Sequence, residues 1–149
     1  IQKVKPNMLR FINIIIQNSL GEIVVPKRSY NRKIFPNCYD FSVGGHVNSG
    51  EDYKQAAYRE LEEELGIKDA VLKEVAYFSP YSSDSNTFQK VYTLEYNKKI
   101  TEFDRNGIDT IYYMQPKEIN NLMIKEPEMF KTDYFMVMKF LFNTQNLKN

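Results

Sequence analysis

Residues 44–67, GGHVNSGEDYKQAAYRELEEELGI, restrict the fold of this chain more than any other segment. Asp52 and Gln55 have the spacing of an N-terminal capping box. Gly66 stands where a helix commonly ends in a residue with positive φ. The segment therefore predicts a helix from about Asp52 to Leu65.

The predicted helix has two distinct faces. At about 100° per residue, one narrow arc is apolar. It contains Ala57, Leu61 and Leu65, with Tyr58 at its edge. A different arc carries Glu60, Glu63 and Glu64, while Glu62 points to solvent. The apolar arc predicts packing on a sheet, and the acidic arc brings three carboxylates together on neighbouring turns.

Residues 44–67 hold six acidic and only two basic residues. A solvated acidic face is the commonest explanation of such a run, because exposed like charges on a helix cost only a few tenths of a kcal/mol per pair. Lysines do not alternate with the acids here, and two glycines precede the helix, where they allow close approach of the backbone to a ligand. A hard divalent cation such as Mg²⁺, which prefers oxygen ligands, explains both features.

The rest of the chain predicts an α+β fold with a mixed β-sheet. Strands are expected at 9–18, 23–29, 40–47, 71–79, 87–97 and 108–114, with the first two forming a hairpin. Helices are expected at 116–123 and 132–145, and the last one is apolar enough to lie in the core. The basic and aromatic segment 29–40 suits a loop over a pocket.

Composition favours one domain over residues 1–149, since 149 residues with 42% hydrophobic content support a single core. A formal net charge of +1 gives no global field to attract a nucleic acid polymer or a membrane. The single cysteine, Cys38, excludes an internal disulfide framework. Without an apolar run of about 20 residues or a secretion signal, the sequence predicts a cytoplasmic protein.

The acidic segment resembles the Nudix box, GX5EX7REUXEEXGU, at every fixed position from Gly45 to Ile67. This resemblance implies the Nudix α/β/α sandwich with its loop-helix-loop, and a hydrolase that uses Mg²⁺ or Mn²⁺. In Nudix hydrolases the metal ligands correspond here to Glu60, Glu63 and Glu64, joined by the carbonyl of Gly44. The resemblance gives Arg59, Glu51, Gly45 and Gly66 orienting and structural roles around these catalytic acids.

The general base is left open by the resemblance. Some family members use a box glutamate, here Glu60, and others use a carboxylate from a later loop. The loop candidates are Glu102 and Asp104, with Glu95 behind them. Many relatives carry a glutamate near position 107, where this chain has Gly107.

The substrate is only partly defined. The segment before the box resembles a Nudix branch related to isopentenyl-diphosphate isomerases, but residues 43–45 lack the isomerase cysteine and Cys38 is too far upstream. Arg28, Arg32 and Lys33 are candidates for binding phosphate, and Tyr39 is a candidate for stacking on a base. In the alternative interpretation, the three basic residues are solvated loop charges and the tyrosine belongs to the core, so that none of them binds substrate.

Three functions stay open on the sequence. The favoured one is hydrolysis of the diphosphate bond in a nucleoside diphosphate linked to another moiety, with a small-molecule nucleotide as partner. The alternatives are an isopentenyl-diphosphate isomerase and a non-catalytic nucleotide-binding protein. Nudix dimers are common, so the resemblance is compatible with a homodimer.

Overall fold

The computed structural model describes residues 8–148 and contains one mixed sheet between helices. Its strands are β1 (Arg10–Gln17), β2 (Ile23–Arg28), β3 (Val43–His46), β4 (Lys73–Phe78), β5 (Phe88–Glu95) and β6 (Ile108–Met114). Its helices are α1 (Tyr53–Leu65), α2 (Pro116–Lys125) and α3 (Tyr134–Asn143), with a 3-10 turn at Pro127–Met129. Every predicted element is present within a few residues of its expected bounds. Residues 1–7 and 149 of the predicted single domain lie outside the described part, and the domain assignment stays a prediction.

Strand β1 lies at the centre of the sheet, whose order is β4-β5-β1-β2-β6. It pairs in parallel with β5 along its whole length, from Arg10 opposite Phe88 to Gln17 opposite Glu95. Such a parallel pair needs a long connection between its strands. Here that connection includes α1, which places the acidic helix on one face of the sheet.

The predicted hairpin of β1 and β2 is much shorter than expected. The two strands pair only at Gln17 and Ile23, next to their turn. Beyond that point β3 replaces β2 as the partner of β1. Ser42 lies in the fork where β1 and β2 separate. Its hydroxyl accepts from the amide of Ile16 at 2.9 Å and donates to the carbonyl of Val24 at 2.6 Å.

Each face of the sheet carries its own apolar core, because successive side chains of a strand point to opposite faces. Ile12, Ile14 and Ile16 of β1 face α1 and meet the apolar arc of Ala57, Leu61 and Leu65. Ile15 faces α2 and α3, where it joins Val137, Met138 and Leu141. The sandwich is thus α/β/α. Helix α3 is less enclosed than predicted, since Phe135 and Phe140 are exposed.

Both predicted ends of α1 are confirmed. The carboxylate of Asp52 accepts from the amide of Gln55 at 2.7 Å, and the Gln55 side chain accepts from the amide of Asp52 at 3.0 Å. Gly66 has φ 67° and donates its N–H to the carbonyl of Glu62 at 2.9 Å. These caps fix the length of α1, and therefore the direction in which each glutamate points.

The last described residues close onto the sheet. The Gln17 side chain donates to the carbonyl of Lys148 at 2.8 Å and accepts from its amide at 2.9 Å. Leu147 beside it is buried in the α2/α3 core. Across residues 8–148, none of the helices has the length and apolar character required to cross a membrane.

Candidate active site

Glu60 and Glu64 form a half-buried acidic pair on the side of α1 that faces the loops. The Glu64 carboxyl is buried, and its Oε2 has no hydrogen-bond partner among residues 8–148. Burial, followed by the hydrogen bond and the charge of Glu60, raises the Glu64 pKa well above its usual range. The pair is an oxygen-rich site in which one acceptor is left unused.

Glu63 does not join this pair. Its side chain is 58% exposed, and its Oε2 accepts from Nη1 of Arg59 at 3.1 Å. No group of three His, Cys, Asp or Glu side chains close enough to hold a metal ion occurs in the described residues. The expected convergence of three carboxylates is therefore not met, and Nη1 of Arg59, which also lies 2.8 Å from Oε1 of Glu60, bridges Glu63 to one member of the pair. Glu62 points to solvent as predicted and lies 3.8 Å from Lys68.

Arg59 ties the loop between β3 and α1 to the helix. Its Nε and Nη2 donate to the two carboxylate oxygens of Glu51 at 2.7 and 2.9 Å, and Nη2 also donates to the carbonyl of His46 at 3.0 Å. Its Nη1 donates to Oε1 of Glu60 at 2.8 Å. The hydrogen bond from Arg59 is the main reason that the Glu51 pKa falls to about 2. One guanidinium thus fixes both the loop and the buried acid.

The two glycines of β3 leave no room for side chains. A Cβ at Gly45 would lie 2.4 Å from the carboxyl carbon of Glu60, and a Cβ at Gly44 would lie 2.8 Å from Oδ1 of Asn13. Gly45 thus permits the close approach of Glu60 to the backbone of β3.

Two further loops meet the C-terminal end of α1. The amide of Asp104 donates to the carbonyl of Glu64 at 2.9 Å, and Nε of Arg32 donates to the carbonyl of Gly107 at 3.3 Å. The positive charge of Arg32 opposes the rise in the Glu64 pKa, though less strongly than burial promotes it. Glu102 lies against Gly66, since a Cβ there would be 3.6 Å from its Oε2. Both loop candidates for the base therefore border the acidic helix.

The remaining candidates have other partners. Arg28 closes the loop before β3 by donating to Asp40 at 2.9 Å and to the carbonyls of Ile34 and Phe35. Tyr39 contacts the rings of Tyr112 and Phe130, which places it with the α2/α3 core. Lys33 is exposed on the same loop, and Glu95 pairs with Lys148 at 2.8 Å. Of the predicted phosphate ligands, the structure brings Arg32 to the acidic helix.

Sequence reasoning missed a buried polar contact behind the glycines. Asn13 of β1 donates from Nδ2 to Oε1 of Gln89 at 2.8 Å, and its Oδ1 covers Gly44. The available signal was a single asparagine inside an apolar strand, since buried polar side chains require a partner.

The residues present fit a divalent cation. Carboxylate oxygens are the ligands that Mg²⁺ prefers, and it is usually held by one or two protein carboxylates. The unpartnered Oε2 of Glu64 beside Glu60 supplies such a donor. The acidic pair beside the β3 glycines thus offers oxygen donors of the kind that Mg²⁺ binds.

Comparison with known proteins identifies the family. The NUDIX domain family model matches residues 8–134. An uncharacterised Nudix hydrolase from Nostoc sp. is 33% identical over 135 residues, covering 89% of this chain and 79% of that relative. The chain therefore belongs to the Nudix family and is a Nudix hydrolase.

Solved structures show the same fold. DR0079 from Deinococcus radiodurans matches with a TM-score of 0.82 and 32% identity, over 88% of this chain and 81% of that chain. The NUDIX domain of Shewanella oneidensis NrtR, complexed with ADP ribose, matches with a TM-score of 0.68 and 12% identity, over 89% and 85% of the two chains. The predicted α+β Nudix sandwich is confirmed.

Proposed function

We propose that this chain hydrolyses the diphosphate bond of a nucleoside diphosphate linked to another moiety, with Mg²⁺ as cofactor and Mn²⁺ as a substitute. The observation that carries this proposal is the buried Oε2 of Glu64, which lies beside Glu60 and has no hydrogen-bond partner in residues 8–148. An acceptor left unsatisfied in a buried site is costly, and a bound cation would satisfy it.

Glu60, Glu64 and the Gly44 carbonyl would hold the metal, and Glu63 would join them after leaving Arg59. When bound, the metal lowers the pKa of a water molecule and neutralises phosphate oxygens. Arg59 would keep Glu60 oriented through its contact with Glu51. Gly45 and Gly66 would leave the space and the backbone conformation that the loop-helix-loop needs.

The general base would be a carboxylate bordering this site, and Glu60, Glu102 and Asp104 are the candidates. Asp104 lies next to the acidic pair, since its backbone amide donates a hydrogen bond to the Glu64 carbonyl. Its role would be to accept the proton of the attacking water, which requires hydrogen-bond reach in the substrate complex.

Arg32 would bind a substrate phosphate, since it is the basic candidate beside the acidic helix. Arg28 and Tyr39 would shape the loop that covers the nucleotide, and Lys33 would add positive charge at its exposed edge. The ADP ribose in the Shewanella NUDIX domain is a nucleoside diphosphate linked to a sugar, which supports including it among the substrates to be tested.

The first experiment is a substrate panel with Mg²⁺ or Mn²⁺, containing nucleoside di- and triphosphates, nucleotide sugars, ADP ribose, dinucleotides and prenyl diphosphates. We expect phosphate-bond cleavage of at least one nucleotide, and loss of roughly two orders of magnitude in kcat in Glu60→Gln and Glu64→Gln. Lys54→Gln, an exposed change on the same helix, is the matched control.

Other outcomes point to the alternatives. Allylic product without phosphate release would indicate an isomerase. Cys38 does not favour that interpretation, because its buried Sγ lies 3.7 Å from the carbonyl of Glu128. Nucleotide binding without turnover would indicate a binding protein. Turnover that survives unchanged in both glutamine variants would overturn the mechanism. Light scattering of the same samples tests the homodimer.

A further inference from the structure

Arg32 is held against a glycine at the edge of the site. Its Nε donates to the carbonyl of Gly107 at 3.3 Å, and the amide of Ser29 donates to the same carbonyl at 3.1 Å. A Cβ at Gly107 would lie 2.7 Å from Nη2 of Arg32 and 3.1 Å from its Cζ. The guanidinium therefore occupies the space that a side chain at position 107 would take.

The turn that contains Gly107 is attached to the acidic helix. The amide of Asp104 donates to the carbonyl of Glu64, and the amide of Gly107 donates to the carbonyl of Asp104 at 3.2 Å. Backbone hydrogen bonds thus connect Glu64 to the glycine on which Arg32 lies. The position of the guanidinium is fixed relative to the metal-binding side of α1.

Arg32 differs from the two other arginines around the site. Arg28 and Arg59 each have a carboxylate partner within 3 Å. Arg32 is exposed and has no ion pair with any residue between 8 and 148. A guanidinium held by one carbonyl keeps most of its N–H donors available, and their planar arrangement matches phosphate oxygens.

We propose that Gly107 is a positioning residue, whose missing side chain sets Arg32 to bind a phosphate group of the substrate from the side of the 104–107 turn. This inference rests on the proposed diphosphate hydrolysis. It assigns the specificity for a charged phosphate at this edge to Arg32 together with the glycine beneath it.

A substitution at Gly107 can isolate this effect. The φ of Gly107 is not positive, so an alanine at this position would cause no backbone strain. An added Cβ would meet the ends of two flexible side chains, Arg32 and Asp104, whose Oδ2 would lie 3.1 Å away. Gly107→Ala should therefore fold normally and displace the guanidinium.

The test compares Gly107→Ala, Arg32→Ala and the double variant with Asn106→Ala, an exposed neighbour on the same turn. Calorimetry with inorganic pyrophosphate and Mg²⁺ gives Kd, and steady-state kinetics with the best substrate of the panel gives KM and kcat. We expect a roughly tenfold rise in Kd and KM in both single variants, the loss of about one charge-assisted hydrogen bond. The double variant should match Arg32→Ala, and Asn106→Ala should match the wild type.

Several results would overturn the inference. One is unchanged pyrophosphate binding in Arg32→Ala, and another is a double variant in which the effects of the two single variants multiply. Mn²⁺ affinity measured on the free protein must stay constant, because a fall would mean that the metal site had been disturbed instead. A wild type that binds pyrophosphate but cleaves no diphosphate would refute the proposed function, while the binding data would still decide the role of Arg32.

Discussion

Glu64 lowers the stability of the metal-free protein because its carboxyl group is buried beside that of Glu60. Its folded pKa is raised well above the ordinary value of 4.5, so the folded state holds a proton that the unfolded chain releases. Compared with the Glu64→Gln variant, the wild type therefore loses free energy of unfolding as the pH rises from the ordinary pKa of Glu64 through its folded pKa. Below both values the two side chains should be equivalent in charge.

We predict that Glu64→Gln is more heat-stable than the wild type in EDTA, and that the gap in Tm widens between pH 4.5 and pH 8. Calorimetry across this range measures it. Glu63→Gln is the control, because that side chain is 58% exposed and should show a much flatter profile. With Mg²⁺ the gap should shrink or reverse, since the proposed metal site would stabilise only the wild type. A gap independent of pH would contradict the buried-acid explanation.

Gly45 gives a second prediction at the level of one residue. Gly45→Ala places a methyl group 2.4 Å from the Glu60 carboxyl carbon, so Glu60 must move. We expect weaker Mn²⁺ binding in calorimetry and a roughly hundredfold fall in kcat, as expected for a misplaced catalytic group.

Gly50→Ala is the matched control for this change. It adds a methyl group in the turn that follows β3, where nothing lies within 4 Å, but at φ +81°. It should therefore lose stability through backbone strain and keep its Mn²⁺ affinity. Unaltered metal binding in Gly45→Ala would refute the steric role of this glycine.

Helix periodicity made the environment of single residues on α1 predictable. It predicted that Glu62 is exposed to solvent and that Ala57, Leu61 and Leu65 lie in the core, as the structure shows. It could not give the direction of the Glu63 side chain, because that depends on where the Arg59 guanidinium lies. The ion pair with Arg59 sets the side-chain conformation of Glu63, and the spacing of a motif does not encode such a contact.

At the scale of elements, the fork between β1 and β2 depends on one serine. Ser42 is buried, and its hydroxyl pairs with an amide of β1 and a carbonyl of β2. Alternating patterns predict that these strands exist, but strand partners are set by distant residues. The short hairpin and the insertion of β3 could therefore not be predicted from the local sequence.

We predict that Ser42→Ala lowers the free energy of unfolding by about 2 kcal/mol, because it leaves two buried backbone groups unpaired. Urea denaturation measures the change. Ser49→Ala removes the same atoms from an exposed position and should be near neutral. An equally small effect of both substitutions would show that the fork can close without the hydroxyl.

At the scale of the whole molecule, the last described residues lock onto the first strand. Gln17 holds Lys148 through two hydrogen bonds, and Leu147 is 8% exposed within the α2/α3 core. No local pattern indicated this contact, because Gln17 and Lys148 are 131 positions apart in the chain. The α+β class was predictable because it follows from the order of the elements.

We predict that Leu147→Ala destabilises the protein by about 2 kcal/mol, at the low end for a buried leucine because the site is near the edge of the core. Leu20→Ala is the control, since Leu20 is 74% exposed in the β1–β2 turn. Thermal and urea unfolding should agree on the difference. Equal stability of the two variants would mean that the tail does not contribute to the core.

The parallel pairing of β1 with β5 has a consequence for synthesis on the ribosome. Strand β1 leaves the exit tunnel first, yet its full-length partner begins 78 residues later, at Phe88. Until then the backbone N–H and C=O groups of β1 on that edge have no strand partner, and an unpaired strand edge in a nascent chain is prone to aggregation. During synthesis, the central strand of the finished enzyme is therefore an exposed edge that is available to chaperones.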